Sequence, residues 1–281
     1  MPSTSTRDSY SAGEELAHAL THGVGAVLSV AALVVLVVYS ALYGDAWHIT
    51  STSIYGLTLI LLYTASTLYH GVSHAAAKQL LQKLDHAAIF LLIAGTYTPF
   101  TLVNLRGPWG WTLFALVWGV AIAGIAFELA CRKCAKAISV SLYLGLGWIV
   151  LIAIKPLLSQ VDPGGIRLLF AGGIAYSLGV IFYLWKTLVY HHAVWHLFVL
   201  AGSVFNFFAV LFFVVPPAPT GCQGPSMVRA KWLPAVPVWD RAGAMAVERI
   251  VHPGRCADEH SVPGDDRNRG HPPATARCRC R

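Results

Sequence analysis

The chain has 281 residues, 56% of them hydrophobic and only 12% charged, and its mean hydropathy is +0.60. That balance excludes an ordinary soluble globular domain, which carries about 25% charged residues. The net charge of +7 does not point to a nucleic-acid partner either. Ten of the 20 Lys and Arg fall after residue 215, with only Trp232 and Trp239 as aromatic company, whereas such a partner needs a basic face on a folded surface.

A helix that crosses a bilayer needs roughly 20 mainly apolar residues, and stretches of that kind recur along the chain. Residues 1–21 are polar or mixed and form an N-terminal segment. The apolar run that follows is long enough to span and is expected to stay rather than be cleaved as a secretion signal. Seven spans are expected, at 23–43, 49–69, 87–105, 110–130, 139–158, 166–186 and 193–215, joined by short connections. Pro216, Pro217 and Pro219 then close the last helix. The composition of 216–281, rich in Pro, Gly, Arg and Asp, predicts a low-complexity disordered tail.

Lys and Arg near helix ends favour the cytoplasmic side. With the N-terminus inside, the inner segments hold Arg7, Lys78, Lys83, Arg132, Lys133, Lys136 and Lys186, while the outer loops hold only Arg106, Lys155 and Arg167. The expected fold is therefore an all-α integral membrane protein of the plasma membrane. It has a cytoplasmic segment over 1–21, a seven-helix bundle over 22–215 with the N-terminus inside and the C-terminus outside, and the tail.

Polar residues at the span ends carry the functional signal. The second span ends in Ser66 and His70, four residues apart and so on one helix face. The third is expected to start directly after Asp85 and His86, and the seventh opens with His192 and His196, again four apart. Taken singly, each reads most simply as a helix end reaching the headgroups. Taken together they lie at one depth on one side, and two imidazoles at i and i+4 can hold a single metal ion. Zinc needs three protein ligands in a catalytic site, and His70, His192 and His196 supply them. Asp85 would orient water or accept its proton, with Ser66 beside it.

Other polar positions carry weaker readings. Glu128 either faces the same cavity or snorkels beside Arg132 and Lys133. Glu15 and His22 precede the first span and line a vestibule or serve as surface and capping groups. His48 should lie on the opposite side, and His74 and His191 fall off the shared faces. Cys131 and Cys134 form a lone CxxC, a weak redox or metal signal, and Cys222, Cys256, Cys278 and Cys280 sit in the tail. Gly95, Gly172 and Gly173 suit close helix packing, Tyr97 is expected to shape the third span, and Pro99 should kink it.

Four stretches carry a resemblance: ELAHALTHGVG (15–25), STLYH (66–70), LDHAAIFLLIAGTYTP (84–99) and HAVWHLFV (192–199). In order and spacing, over about 14–215, the chain resembles the bacterial hemolysin III branch of the progestin and adipoQ receptor family. The resemblance implies seven membrane helices with zinc near the cytoplasmic face, held by His70, His192 and His196, with Ser66 and Asp85 matching the family's serine and aspartate. It also implies kinship with alkaline ceramidases, which cleave lipid amides. His18 stands where relatives usually carry Asn, and Asn206 where many carry His. Asn206 lies nearly three turns beyond His196, too deep to share its metal.

Two functions follow. One is a zinc-dependent hydrolase of a lipid amide such as ceramide, drawing its substrate from membrane lipids. The other is a non-enzymatic receptor or a membrane-perturbing, cytolytic protein in which zinc only staples helices. A transporter is disfavoured, because neither repeat symmetry nor a pair of Gly- or Pro-broken midplane helices is evident.

Overall fold

The computed structural model describes residues 10–130 and 136–217, and two short strands further on. Helix α1 runs Ala12–Tyr43, α2 Ala46–Gly71 and α3 Ala75–Pro99, the last continuing as a π-helical turn Phe100–Asn104. Helix α4 covers Pro108–Ala130. The fifth crossing is broken into α5 (Lys136–Trp148), a 3-10 turn (Ile149–Ala153) and α6 (Ile154–Gln160). Helices α7 (Pro163–Leu184) and α8 (His191–Phe213) complete seven spans among the described residues, each long and apolar enough to cross a bilayer.

Two spans begin about eleven residues before their apolar runs. Helix α1 starts at Ala12 because Ser11 and Glu14 close a capping box, with Ser11 N donating to Glu14 Oε2 at 2.9 Å and Glu14 N to Ser11 Oγ at 3.3 Å. Helix α3 starts at Ala75, on His74 as its cap, and runs through the good helix formers of Ala75–Lys83. Asp85 and His86 consequently sit about three turns inside α3 rather than ahead of it. Hydropathy misses such extensions because they are polar; propensity and capping make them helical.

Apolar side chains face outward as well as filling the core, and α1 turns a largely polar stripe inward. Leu16, Leu20, Val27, Ile122 and Phe212 point outward toward lipid, whereas the buried stripe of α1 is Glu14, His18, His22, Gly25, Ser29, Leu36 and Ser40, polar or small but for Leu36. Small residues let helices approach closely. A Cβ on Gly25 would lie 2.5 Å from the Tyr63 ring, and one on Gly95 would lie 2.0 Å from Thr58 Oγ1. Gly172 likewise abuts Asn206, but Gly173 faces the Trp148 ring at an ordinary 3.6 Å.

The break in the fifth crossing has a local cause. Tyr97 OH donates to the carbonyl of Gly147 at 2.6 Å and accepts from Val150 N at 3.0 Å, satisfying backbone groups that a continuous helix would pair internally. Pro156 then sits in the first turn of α6, where its missing N–H is tolerated. Tyr97 therefore shapes the fifth crossing rather than its own helix, and Pro99 is followed by the wider π turn. Helices α1, α2 and α3 pack tightly in sequence, as do α7 and α8, while α5 touches its neighbours sparsely.

Within 218–281 the structure describes only β1 (Val236–Trp239) and β2 (Met245–Glu248), an antiparallel pair with Trp239 opposite Met245. The rest of the expected tail, its four cysteines and the Cys131–Cys134 pair lie outside the described residues.

Gly95→Ala should destabilise the bundle by about 1–3 kcal/mol through overpacking, seen as a lower Tm in detergent. Gly119→Ala, where an added Cβ meets nothing within 4 Å, should leave it unchanged or slightly raised. Equal Tm values for the two variants would contradict the packing described for Gly95.

Candidate metal centre

The last turn of α2 and the first turns of α8 meet at the end of the bundle that carries the N-terminus. Ligand nitrogens of His70, His192 and His196 lie within 4.8 Å of one another, and all three residues are buried. In His70 and His196 the second ring nitrogen has a partner. His70 Nδ1 lies 2.7 Å from Glu15 Oε2, and Lys78 Nζ holds the other oxygen of Glu15 at 2.8 Å. His196 Nδ1 sits 3.3 Å from the carbonyl oxygen of His18 and 3.2 Å from Thr21 Oγ1, so it carries the proton and leaves Nε2 as the donor.

These residues fit a metal ion. His70 Nε2 and both nitrogens of His192 are buried without a hydrogen-bond partner among the described residues, and each such orphan costs roughly 1–3 kcal/mol if nothing binds it. The Glu15–His70 contact is the carboxylate–histidine arrangement that orients a ligating imidazole.

Beside the histidines runs a cavity of about 370 Å³. At its polar end lie Lys83, His86 and Glu128; it passes Ser66, Asp85, His192 and His196, then continues between apolar walls to Leu105 and Leu157. Along α3 and its π turn, Lys83 to Leu105 covers roughly 30 Å at 1.5 Å per residue, close to the thickness of a bilayer's hydrocarbon core. Sparse packing around α5 leaves this space open. Ser66 Oγ is buried, near enough to Asp85 to interact with its charge yet without a hydrogen bond of standard geometry.

The structure thus clusters His70, His192 and His196, and it sets Ser66 and Asp85 on the wall of the cavity that His192 and His196 also line. It also decides the weaker readings. Glu128 faces the cavity, its oxygens taken by His86 Nδ1 and Ser139 Oγ, each at 2.8 Å. His22 stacks on His196 with ring centres 3.5 Å apart. His48 pairs with Asp45 at the opposite end of α2, His74 caps α3, and the His191 ring meets the carbonyl of Phe182. Asn206 donates to the carbonyl of Gly202, well away from the cluster.

Three participants escaped the sequence reading of the ligand set: Glu15 as the partner of His70, His18 amid the ligands, and Tyr10. The Tyr10 ring lies 4.7 Å from His18 and 5.4 Å from His192, and burial raises its phenol pKa, so it stays neutral. The detectable signal was the recurrence of Glu14, His18, His22, Gly25 and Ser29 at three- and four-residue intervals, a polar helical stripe extending ahead of the apolar run.

Comparison with known proteins agrees with this arrangement. The family described as Haemolysin-III related matches residues 10–207. Hemolysin-3 of Bacillus cereus is 50% identical over 206 residues, covering 73% of this chain and 94% of its own length, and the Hemolysin-3 homolog of Bacillus subtilis is 50% identical over 202 residues, covering 72% and 95%. The human Monocyte to macrophage differentiation factor, of the progestin and adipoQ receptor family, is 27% identical over 203 residues, covering 70% and 83%. No solved structure matches the chain significantly. With seven spans and a match over most of its length, the chain belongs to the haemolysin III-related family of multi-pass membrane proteins.

Proposed function

We propose that this protein is a zinc-dependent hydrolase of lipid amides, ceramide-like in chemistry, working at the cytoplasmic membrane face. The observation that carries this reading is the apolar cavity that leads past Asp85 and Ser66 to the histidine cluster. A purely structural site gains nothing from such a shaft, whereas a hydrolase must admit an acyl chain.

His70, His192 and His196 would hold zinc. When bound, it supplies Lewis acidity that polarises a carbonyl and brings the pKa of a ligated water to about 7. Asp85, on the cavity wall within α3, is placed to accept the proton as water adds to the amide carbon and to return it to the leaving amine. Ser66 Oγ, on the cavity wall beside Asp85, would donate to the developing oxyanion. Glu15 holds the His70 ring in its ligating orientation through Nδ1. The walls toward Leu105 and Leu157 would bury the acyl chain, and the Lys83, His86 and Glu128 end would face the headgroup.

A second reading, a membrane-perturbing protein with structural zinc, is supported by the hemolysin names of the relatives that are 50% identical. Zinc would then staple α2 to α8, and the cavity would have no catalytic use.

Purified parent protein should contain about one zinc per chain, and His192→Ala and His196→Ala should each lose most of it. Glu15→Gln should keep the metal but bind it about 10–100-fold more weakly. Titration against a zinc indicator measures all three effects, and unchanged metal content in the histidine variants would remove the site.

Asp85→Asn should retain zinc while lipid-amide cleavage falls about 10²–10⁴-fold, measured on a ceramide of defined acyl length in mixed micelles. Cleavage equal to the parent's would exclude Asp85 as the base. No cleavage by the zinc-loaded parent, together with dye release from vesicles, would favour the second reading.

The same reading places Ser73, in the exposed turn between α2 and α3, on the cytoplasmic side. In a cysteine-free background, Ser73→Cys should react with a membrane-impermeant maleimide only after cells are opened. Labelling of intact cells would reverse the orientation.

A further inference from the structure

We propose that Glu15, His18 and His70 form a second site for a divalent transition-metal ion such as zinc, weaker than the three-histidine centre and joined to it through the His70 ring. The inference shares His70 with the metal reading given above and is independent of hydrolysis.

Local structure sets up the donors. Because the capping box starts α1 at Ala12, Glu15 and His18 are already helical and, three residues apart, lie on one face. The last turn of α2 brings His70 against them. One donor atom from each of the three residues lies within 4.8 Å of the others, the same spacing that groups His70, His192 and His196.

His18 is the observation that calls for an ion. It is fully buried, and neither of its ring nitrogens has a hydrogen-bond partner among the described residues. A buried imidazole in that state needs something to bind. The three-histidine centre does not supply it, because the donor atoms of His18 group with Glu15 and His70 and not with His192 and His196.

The remaining donors follow from the contacts. Glu15 Oε2 stands 2.7 Å from His70 Nδ1, while Lys78 Nζ takes Oε1 at 2.8 Å. His70 Nε2, the nitrogen without a partner, belongs to the three-histidine centre, which leaves Nδ1 for the second site. Two imidazole nitrogens and one glutamate oxygen are a donor set that zinc accepts. Calcium and magnesium prefer oxygen alone, so the imidazoles select against them.

Two features make this site the weaker one. The proton that His70 Nδ1 shares with Glu15 has to leave to solvent as the ion arrives. Lys78, moreover, already holds a positive charge against the same carboxylate and repels a second cation. Glu15 and Lys78 stay partly exposed where His70 is buried, so an ion coming from solvent meets Glu15 first.

The test is a zinc titration of the metal-free, full-length protein in detergent against a chromophoric chelator. The parent should take up two equivalents, the second held about tenfold or more weakly and so lost on purification. His18→Ala should keep the tight equivalent and lose the weak one, whereas a double variant, His192→Ala with His196→Ala, should do the reverse. Lys78→Gln, a change at a partly exposed side chain that leaves every ligand in place, should tighten the weak equivalent about tenfold. A single equivalent in the parent that His18→Ala leaves untouched overturns the proposal, and so does a weak equivalent that neither His18→Ala nor Lys78→Gln alters. One equivalent that requires His18 but neither His192 nor His196 would instead overturn the three-histidine reading and leave the second site standing.

Discussion

The structure turns on one constraint: imidazoles and carboxylates are buried at one end of a lipid-embedded bundle, where water does not satisfy them. Unpaired polar groups in such surroundings cost several kcal/mol. The helices respond by converging. Glu15 takes His70 and Lys78, the backbone of α1 takes His196, and ligand nitrogens of His70, His192 and His196 gather within 4.8 Å of one another. Five histidines from three helices crowd together there, and three of them could hold one metal ion.

The same logic explains how the helices pack. Lipid gives no hydrophobic reason for helices to associate, so their contacts depend on close approach at small residues and on buried polar groups. Gly25 under Tyr63 and Gly95 against Thr58 provide the first; the stripe of α1 provides the second. Where that tight packing stops, around the broken fifth crossing, a cavity remains. Tyr97 makes the break tolerable by taking over backbone hydrogen bonds at Gly147 and Val150. One phenol on α3 thus helps keep the space beside the histidines open.

Much of this was legible in the residues. Seven apolar runs gave seven spans, and the i, i+4 pairs in α2 and α8 gave the three clustered histidines, because both signals are periodic and local. The polar helical extensions were not legible from hydropathy: they depend on capping by Ser11 and His74, which shifts α1 and α3 by three turns. That shift moved Glu15, His18 and Asp85 from ahead of the spans into the bundle. The break at Trp148 was hidden for a different reason. It depends on a hydroxyl from another helix, a long-range contact that no window along the chain contains.

The cavity bears on the choice between the two functional readings. A staple needs its ligands and no access, whereas a hydrolase keeps one position open and has to be reached. Ser66, Asp85, His192 and His196 line the cavity, and so does His22 of α1. Its histidine end is therefore walled by four helices, α1, α2, α3 and α8, and not by α3 alone. The convergence that could let three imidazoles hold one ion thus leaves two of them on the wall of a largely apolar space. A staple has no use for that exposure; a hydrolase depends on it.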